Sequence, residues 1–336
     1  MHFGFFSVQD YYPGLSPDHQ QFFAELLDRI AYAEDLGFDS FWLAEHHFHL
    51  NYGLDPWPPI VLAAAAQHTR QIRLGSAVAV LPFHHPLRVA EDYALLDILS
   101  GGRLNFGVGS GYLAHEYAGW GIPQAEARAR HDEALAIILR AWQGERFRYA
   151  GTFTTVEDVT LQVQPVQKPH PPVWIAFLHA ESAYQRGRQG YQIMGVPYAT
   201  VPQLSQLREL IARWREGYRE AGKDPDQGRV VMALHTYVAE SDAQAETEAR
   251  ACLERYLATR LFGKGSWESL TANQLAAIGS PDRVAAAVET LQATGATDLL
   301  CLMDFGGLDH QLVRRSMALF AREVVPRFQP APVITG

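Results

Sequence analysis

Hydrophobic and polar positions along this chain form two alternating kinds of segment. Short apolar runs of roughly five to eight residues are bounded by glycine, proline or polar residues, as expected of buried strands. Longer segments between them carry apolar residues at helical spacing, as Phe22, Leu26 and Ile30 do. Gly37 ends the first of these segments in the position of a helix-terminating glycine. The pattern therefore predicts strands that alternate with helices.

Eight strand–helix units follow one another. The predicted strands are 3–8, a run that begins at 41, 72–81, 104–108, 173–178, 192–196, 230–239 and 298–303. The predicted helices are 22–36, 60–69, 87–99, 128–142, 180–188, 202–221, 243–261, 281–294 and 310–326. The strands are continuous apolar runs, which is typical of parallel strands covered on both faces. Eight such units predict an α/β fold, a (β/α)8 TIM barrel, as a single domain over 1–336.

Two segments interrupt this order. Residues 147–172 mix apolar residues with glycine and prolines, which predicts a small β-hairpin insertion after strand four. Residues 262–279 are polar and weakly periodic, which predicts a lid-like insertion after strand seven. A doubly wound open sheet is the alternative fold. Against it, strand one leads into no glycine-rich turn, and the glycines at 107, 109 and 111 lack the dinucleotide-binding spacing.

Composition narrows the class of function. The 336 residues are 48% hydrophobic and 19% charged, as in globular proteins. A net charge of −9 argues against a nucleic-acid partner. No apolar run reaches the ~20 residues that span a bilayer, and the N-terminus lacks the features of a signal peptide. The two cysteines, Cys252 and Cys301, are far apart in apolar surroundings. We therefore expect a soluble cytoplasmic protein that binds neither nucleic acid nor membrane.

Reactive side chains collect where the predicted strands end. Strand two runs into Glu45, His46 and His47, and a barrel builds its active site at the carboxyl ends of its strands. The other candidates at strand ends are His84, His85, Ser110, Tyr112, His179, Glu181, Ser182, His235 and Asp304.

Two chemistries are open from these residues alone. His47 and His49 form an H-x-H pair that His235 and Asp304 could complete as a zinc site. Amidohydrolase barrels resemble this only loosely, because they place that pair after strand one and many use a lysine after strand four, so we expect no metal. The second chemistry is anion binding at the start of the helix that begins at 180, where free backbone N–H groups meet the helix dipole. A plain helix N-terminus is the alternative there.

Several blocks of the chain resemble the luciferase-like monooxygenases, and closely the bacterial luciferase branch, over residues 3–328. The blocks are Glu45-His46-His47-Phe48, His85-Pro86-Leu87-Arg88-Val89-Ala90-Glu91-Asp92, Leu96-Asp97, Ser100-Gly101-Gly102-Arg103-Leu104, Phe106-Gly107-Val108-Gly109, Gln167-Lys168-Pro169-His170-Pro171-Pro172, Ala180-Glu181-Ser182 and Gly279-Ser280-Pro281. The resemblance implies a flavin-dependent barrel, usually a dimer, that uses reduced FMN or a deazaflavin.

The resemblance also implies roles for individual residues. His46 matches the catalytic histidine of the luciferases. Ala77 and Val78 match a non-proline cis peptide under the flavin ring, and Tyr112 matches a flavin neighbour after strand four. The residues that match the surroundings of the flavin phosphate are Arg128, Glu181 and Ser182, with Arg130 as the alternative to Arg128. Residues 262–279 match a mobile lid.

One residue departs from the family pattern. The luciferase branch has an arginine after strand four that contacts the phosphate, and this chain has Ser110. One charge-assisted contact is therefore missing. Either Ser110 and the flanking glycine backbone suffice together with Arg128, or the cofactor sits differently. A deazaflavin has a longer and more acidic tail, so it stays open, although the other matches favour FMN.

The sequence thus predicts a flavin-dependent monooxygenase. Reduced FMN from a separate flavin reductase and molecular oxygen would act on a small organic substrate with an apolar portion, in a homodimer. His46 would serve as a general acid/base. The alternatives are a deazaflavin-dependent oxidoreductase that transfers hydride, and a flavin-binding protein or subunit without turnover. The aromatic residues that could line the substrate pocket are Phe6, Trp57, Phe83, Trp120, Phe177 and Tyr198.

Overall fold

The computed structural model describes residues 1–177, 179–260 and 265–328. Its strands are β1 (His2–Ser7), β2 (Ser40–Leu43), β3 (Arg73–Ser76), β4 (Ala79–Val80), β5 (Leu104–Gly109), β6 (Phe147–Ala150), β7 (Thr155–Val159), β8 (Val173–Ala176), β9 (Gln192–Gly195), β10 (Val230–Val238), β11 (Ala276–Gly279) and β12 (Asp298–Leu302). Parallel pairing runs in the order β1, β2, β3, β5, β8, β9, β10 and β12, and β12 pairs with β1 again. These eight strands therefore close into a barrel, as predicted.

Helices cover the outside of the barrel because each has one apolar side that packs on the strands. They are α1 (His19–Asp35), α2 (Pro58–His68), α3 (Pro86–Leu99), α4 (Ala114–Trp120), α5 (Ala127–Ala141), α6 (Ala180–Arg188), α7 (Pro197–Thr200), α8 (Leu207–Glu220), α9 (Asp242–Ala258), α10 (Trp267–Ala272), α11 (Pro281–Ala293) and α12 (His310–Glu323). Three of them, α4, α7 and α10, were not predicted. Each has seven residues or fewer, which is too short for a periodic pattern to stand out.

Both interruptions of the βα order are visible in the structure. Between β5 and β8 the chain forms an antiparallel pair from β6 and β7, which lies within the segment predicted as a hairpin. Inside 262–279 the chain forms α10 and then β11, whose four residues are buried and pair with the end of β10. The interpretation of this whole segment as a loop was therefore wrong at β11. Residues 178 and 261–264 lie outside the described residues. The predicted end of strand five falls on 178, and the predicted end of the helix 243–261 and the start of the segment 262–279 fall on 261–264.

A break between β3 and β4 shapes the site end of the barrel. Ser76 ends β3, and its hydroxyl donates to the carbonyl oxygen of Gly107 on β5 at 2.8 Å. A Cβ at Gly107 would lie 1.9 Å from the carbonyl oxygen of Ser76, so this close approach requires glycine. The next peptide bond, Ala77–Val78, is cis. β4 then resumes the pairing with β5.

Two further features bear on the predicted location. Within the described ranges, no helix combines the length and apolar character needed to cross a membrane. Cys252 and Cys301 are both free thiols.

Candidate active site

A cavity of about 360 Å³ opens at the carboxyl ends of the barrel strands. It is the place where the sequence predicted the site. Of the predicted site residues, those that line it are His46, Ala77, Val78, Ser110, Tyr112, Arg128 and Ser182. Glu181 does not line it. Its side chain is exposed and accepts a hydrogen bond from Gln185 at 3.3 Å.

His46 is held by a carboxylate that the sequence analysis did not single out. Its Nδ1 lies 3.0 Å from Oε1 of Glu116, and the same oxygen accepts the backbone N–H of His47 at 2.9 Å. Since an ionised carboxylate only accepts, Nδ1 of His46 carries the hydrogen and Nε2 keeps its lone pair. Burial lowers the pKa of His46, and the hydrogen bond to Glu116 partly opposes that effect. His46 is therefore a neutral, oriented imidazole in the cavity wall.

Glu45 fixes the loop beside His46 rather than offering a free acid. Its Oε1 pairs with Nε2 of His47 at 3.0 Å and with Nε2 of His84 at 2.7 Å, and its Oε2 accepts the backbone N–H of Val80 at 3.0 Å. Burial favours a higher pKa for Glu45, but these hydrogen bonds outweigh it and lower the pKa. The carboxylate thus ties the end of β2 to β4 and orients both imidazoles.

These contacts also bear on the possible metal site. In the described part of the chain, potential ligand atoms of Glu45, His47 and His84 lie within 4.8 Å of one another, and they are hydrogen-bonded to each other. The set of His47, His49, His235 and Asp304 that the sequence left open is not brought together. His49 is exposed, with its ring 5.4 Å from that of Tyr52.

The cis peptide forms a flat piece of backbone in the cavity wall. Ala77 and Val78 both line the cavity beside Gly109, at which a Cβ would lie 2.6 Å from Cγ2 of Val78. The predicted non-proline cis bond is therefore present between these two residues.

A group of cations lies around one carboxylate at another part of the cavity. Nε of Arg128 donates to Oδ2 of Asp132 at 2.9 Å, and Nη1 of Arg186 donates to Oδ1 at 3.1 Å. Nδ1 of His131 lies 2.9 Å from the same Oδ1. Burial acts to raise the pKa of Asp132, but hydrogen bonds from His131 and Arg128 and the charge of Arg186 hold it far below its usual range. With two guanidinium groups against one carboxylate, this group carries a net positive charge toward the cavity.

The amino end of α6 adds neutral donors to this positive region. Ser182 lines the cavity, and the residue that caps the helix, His179, makes no side-chain hydrogen bond to the helix backbone. Arg130, the alternative to Arg128, is turned away. It pairs with Glu126 at 2.8 Å, stacks over the ring of Phe153 at 4.4 Å and does not line the cavity.

Two predicted residues after β5, Ser110 and Tyr112, also lie in the cavity wall. Ser110 lines the cavity, and its carbonyl oxygen accepts the hydroxyl of Tyr117. Tyr112 lines the cavity with its ring 6.4 Å from that of His46. Burial raises the pKa of Tyr112 far above its usual value, so the phenol stays neutral.

The remaining wall is aromatic and holds Arg260. The guanidinium of Arg260 lies over the rings of Tyr52 at 4.5 Å and Tyr256 at 4.1 Å. His235, on β10, is 1% exposed and packs its ring 4.5 Å from that of Tyr256. Burial and the nearby charge of Arg260 lower the pKa of His235 to about 3. The ring is therefore uncharged at neutral pH.

The predicted substrate aromatics divide into two groups. Phe6, Phe177 and Tyr198 line the cavity. Trp57, Phe83 and Trp120 do not, and they pack instead around the histidines after β2 and β4. Trp57 lies 4.1 Å from the ring of His84, and Trp120 lies 5.2 Å from that of His47.

Four cavity residues with polar or charged side chains were given no role by the sequence: Glu116, Arg186, Arg260 and Tyr256. Glu116 is in a short helix that no periodic pattern revealed. Arg186 comes in the last turn of α6, where a basic residue is usual for the helix dipole. Tyr256 lies in the last turn of α9, and Arg260 follows the end of that helix. His235 was considered in the sequence only as a residue that could complete a metal site, and this geometry does not bring that set of ligands together.

Comparison with known proteins supplies relatives over most of the chain. The sequence pattern of the family described as "Luciferase-like monooxygenase" matches residues 1–298. The oxygenase component of a flavin-dependent trigonelline monooxygenase from Acinetobacter baylyi is 26% identical over 337 residues, which cover 94% of this chain and 92% of that protein. Other matched relatives are described as F420-dependent enzymes.

Solved structures show the same fold. Monooxygenase RslO1 from Streptomyces bottropensis superposes with a TM-score of 0.91 at 30% identity, covering 98% of this chain and 100% of that one. The oxygenating constituent of 3,6-diketocamphane monooxygenase from Pseudomonas putida, solved with FMN, gives a TM-score of 0.84 at 23% identity and covers 98% and 99%.

Proposed function

The chain belongs to the luciferase-like monooxygenase family, and we propose that it is the oxygenase of a two-component system that uses reduced FMN and molecular oxygen on a small organic substrate with an apolar portion. One observation carries the proposal. A single cavity combines a cationic region around Asp132, the flat cis peptide at 77–78 and the oriented imidazole of His46.

The residues present fit FMN. Arg128 and Arg186 with the Ser182 hydroxyl would hold a phosphate, since guanidinium groups and a helix N-terminus both favour that anion. The cis peptide of Ala77 and Val78 offers a side-chain-poor surface on which a planar ring could lie. Bound reduced FMN would supply the electrons with which molecular oxygen is activated.

The protein's own part in the reaction centres on His46. Glu116 holds Nδ1–H, so Nε2 of His46 is free to accept a proton from, or share a hydrogen bond with, a group in the cavity. Apolar side chains such as Phe6, Val8 and Leu302 line the same cavity and would exclude water from the reacting atoms. The residues would thus orient the substrate, manage one proton and keep the site dry.

A deazaflavin-dependent hydride transfer is the second candidate. The F420-dependent relatives and the serine at 110 favour it, because an arginine after strand four is missing. A flavin-binding protein without turnover is the third candidate, and the His46–Glu116 pair argues against it, since binding alone needs no oriented imidazole.

Partners and assembly belong to the same proposal. A separate flavin reductase is expected because the trigonelline relative is itself an oxygenase component. We expect a homodimer through α2 and α3, which expose the large apolar side chains of Ile60, Leu95, Ile98 and Leu99. The cytoplasm remains the predicted location.

Binding and oxygen consumption test the proposal together. The purified protein is titrated with FMN, reduced FMN and F420 under argon. Reduced FMN is then mixed with oxygen in the presence of a set of small organic compounds, and products that gain one oxygen atom are sought by mass spectrometry. We expect reduced FMN to bind more tightly than F420. His46→Ala should keep flavin binding and lose product, while His68→Ala, an exposed histidine at the end of α2, should behave as the wild type.

Tighter binding of F420 together with hydride transfer to or from it would favour the second candidate. Flavin binding without product for any compound would favour the third. Full product formation by His46→Ala would remove the catalytic role of His46.

A further inference from the structure

The guanidinium of Arg260 lies at the aromatic end of the cavity, and we propose that it binds the carboxylate of an organic acid. The assignment of this acid as the substrate rests on the proposed monooxygenase function, whereas its binding does not. The site lies beside His46 because Tyr52, which stacks on Arg260, also contacts the ring of His46 at 5.3 Å.

Two nitrogens of the Arg260 guanidinium determine which chemical group it can bind. The guanidinium carbon lies 4.5 Å from the ring centroid of Tyr52 and 4.1 Å from that of Tyr256, and Nη1 donates to the carbonyl oxygen of Tyr52 at 3.3 Å. Nε and Nη2 are buried and make no hydrogen bond to any described residue. These two nitrogens form one edge of the guanidinium with parallel N–H bonds, and the two oxygens of a carboxylate match that edge. A single-oxygen acceptor would leave one donor unpaired.

The charge around Arg260 also favours an anion. The carboxylate whose charge acts on Arg260 is that of Asp10, and its Oδ2 accepts the backbone N–H of Gly306 at 2.7 Å. Oδ1 of Asp10 makes no hydrogen bond within the described residues, so the two groups are not directly paired. Burial raises the pKa of Asp10, which weakens it further as a counter-ion. A buried guanidinium without a direct partner is unfavourable, and a ligand carboxylate would relieve that cost.

His235 provides a second and independent indication of a ligand. It is buried in the wall of the same cavity, and neither ring nitrogen has a hydrogen-bond partner among the described residues. Buried polar atoms are normally satisfied. Tyr198 and Tyr256 contact the ring only through their own rings, at 5.3 Å and 4.5 Å. A polar atom on the bound acid would pair with one of the nitrogens.

A matched set of ligands tests this site without any flavin. Benzoate, cyclohexanecarboxylate and 2-naphthoate are titrated into the full-length protein by calorimetry, and so are benzamide, cyclohexanecarboxamide and 2-naphthamide. Each amide keeps the size and shape of its acid but has no negative charge and only one oxygen. We expect each acid that fits to bind at least about tenfold more tightly than its amide, because a charge-assisted bidentate contact is lost.

Substitutions at Arg260 test whether the preference for acids over amides depends on this side chain. Arg260→Met keeps the length of the side chain and should weaken acid binding by at least about tenfold while leaving amide binding unchanged. Arg260→Lys keeps the charge but not the paired edge and should fall between them. Arg250→Met, on α9 at a surface ion pair with Glu246, should bind acids and amides like the wild type. Circular dichroism checks that each variant is folded. The ratio of acid affinity to amide affinity is measured on the wild type, so that part of the test does not depend on the folding of any variant.

Three outcomes would overturn the assignment. They are equal binding of acids and amides, unchanged acid binding in folded Arg260→Met, and failure of every acid to bind. Tighter binding of 4-nitrophenolate than of the acids would also overturn it, in favour of a single-oxygen anion. Formation of oxygenated product in the flavin reaction is measured separately from acid binding. Arg260-dependent acid binding without oxygenated product would contradict the proposed function and leave the binding site intact. Oxygenation of neutral compounds alone would contradict the assignment of the acid as the substrate and leave the proposed function intact.

Discussion

The pair formed by His46 and Glu116 makes the sharpest prediction, through the change Glu116→Gln. Glutamine has nearly the same shape, and its Oε1 can still accept the N–H of His47 and Nδ1–H of His46. What disappears is the negative charge 3.0 Å from the imidazole. The variant therefore separates the electrostatic part of this contact from its geometry.

The size of the effect follows from the type of bond. A hydrogen bond to a charged group is worth about 1 kcal/mol more than a neutral one, so His46 should bind its proton roughly fivefold more weakly in the variant. Loss of the Glu116 charge lowers the pKa of His46, and burial already lowers the same pKa. Less imidazolium is then present at any given pH, and a reaction limb that requires protonated His46 should move to lower pH. The Nδ1–H tautomer should also become less dominant.

Nitrogen NMR of histidine-labelled protein measures both quantities without a substrate. The signals of His46 are assigned from the spectrum of His46→Gln, and a pH titration is recorded for the wild type and for Glu116→Gln. Glu91→Gln, an exposed change on α3, is the control. An unchanged titration midpoint and tautomer in Glu116→Gln would refute the assigned role of Glu116, even if activity fell.

Three further predictions concern other parts of the molecule. Glu181→Gln should change FMN affinity by less than about twofold, because its side chain lies outside the cavity, and a larger loss in a flavin titration would restore its predicted phosphate role. Leu95→Glu on α3, where the side chain is 48% exposed, should convert a dimer to a monomer in light scattering, and an unchanged mass would place the interface elsewhere. Burial raises the pKa of Asp55 to about 7, so this carboxyl contributes stability that is complete below pH 4 and lost as the pH rises to 7. Relative to the wild type, Asp55→Asn should gain up to about 4 kcal/mol in the free energy of unfolding between pH 4 and pH 8, and urea unfolding that shows parallel curves for both proteins would contradict this.

The barrel could be predicted because its signals are local and repeated. Most of the barrel strands lie in largely apolar runs, and Gly37 marks where the helix before β2 stops. The site end followed from topology, since side chains at the carboxyl ends of parallel strands meet in one place. That argument placed His46, Ser110 and Tyr112 correctly in one cavity.

What could not be predicted depends on contacts between distant residues. β11 is four residues long, and it becomes a strand only through its pairing with the last four residues of β10. Glu116 becomes a partner of His46 only when α4 folds back over the loop after β2. Two nitrogens of Arg260 have no hydrogen-bond partner in the described part of the chain, and its guanidinium lies against two tyrosine rings, one of them about two hundred positions away in the chain. No spacing rule contains such information.

Arg186 gives the departure at Ser110 a physical explanation that can be tested. The side chain is 4% exposed, reaches the cavity from α6 and is held by Asp132 at 3.1 Å. We therefore expect Arg186 to supply the cation that the family places after strand four. Arg186→Met should weaken FMN binding about ten- to a hundredfold, the value of one or two charge-assisted bonds. Ser110→Arg in that background should restore most of the affinity, because Ser110 lines the same cavity. Restoration by Ser110→Arg but not by Ser110→Gln would identify charge as the cause. Equal FMN affinity of Arg186→Met and the wild type would mean that the phosphate is held without Arg186.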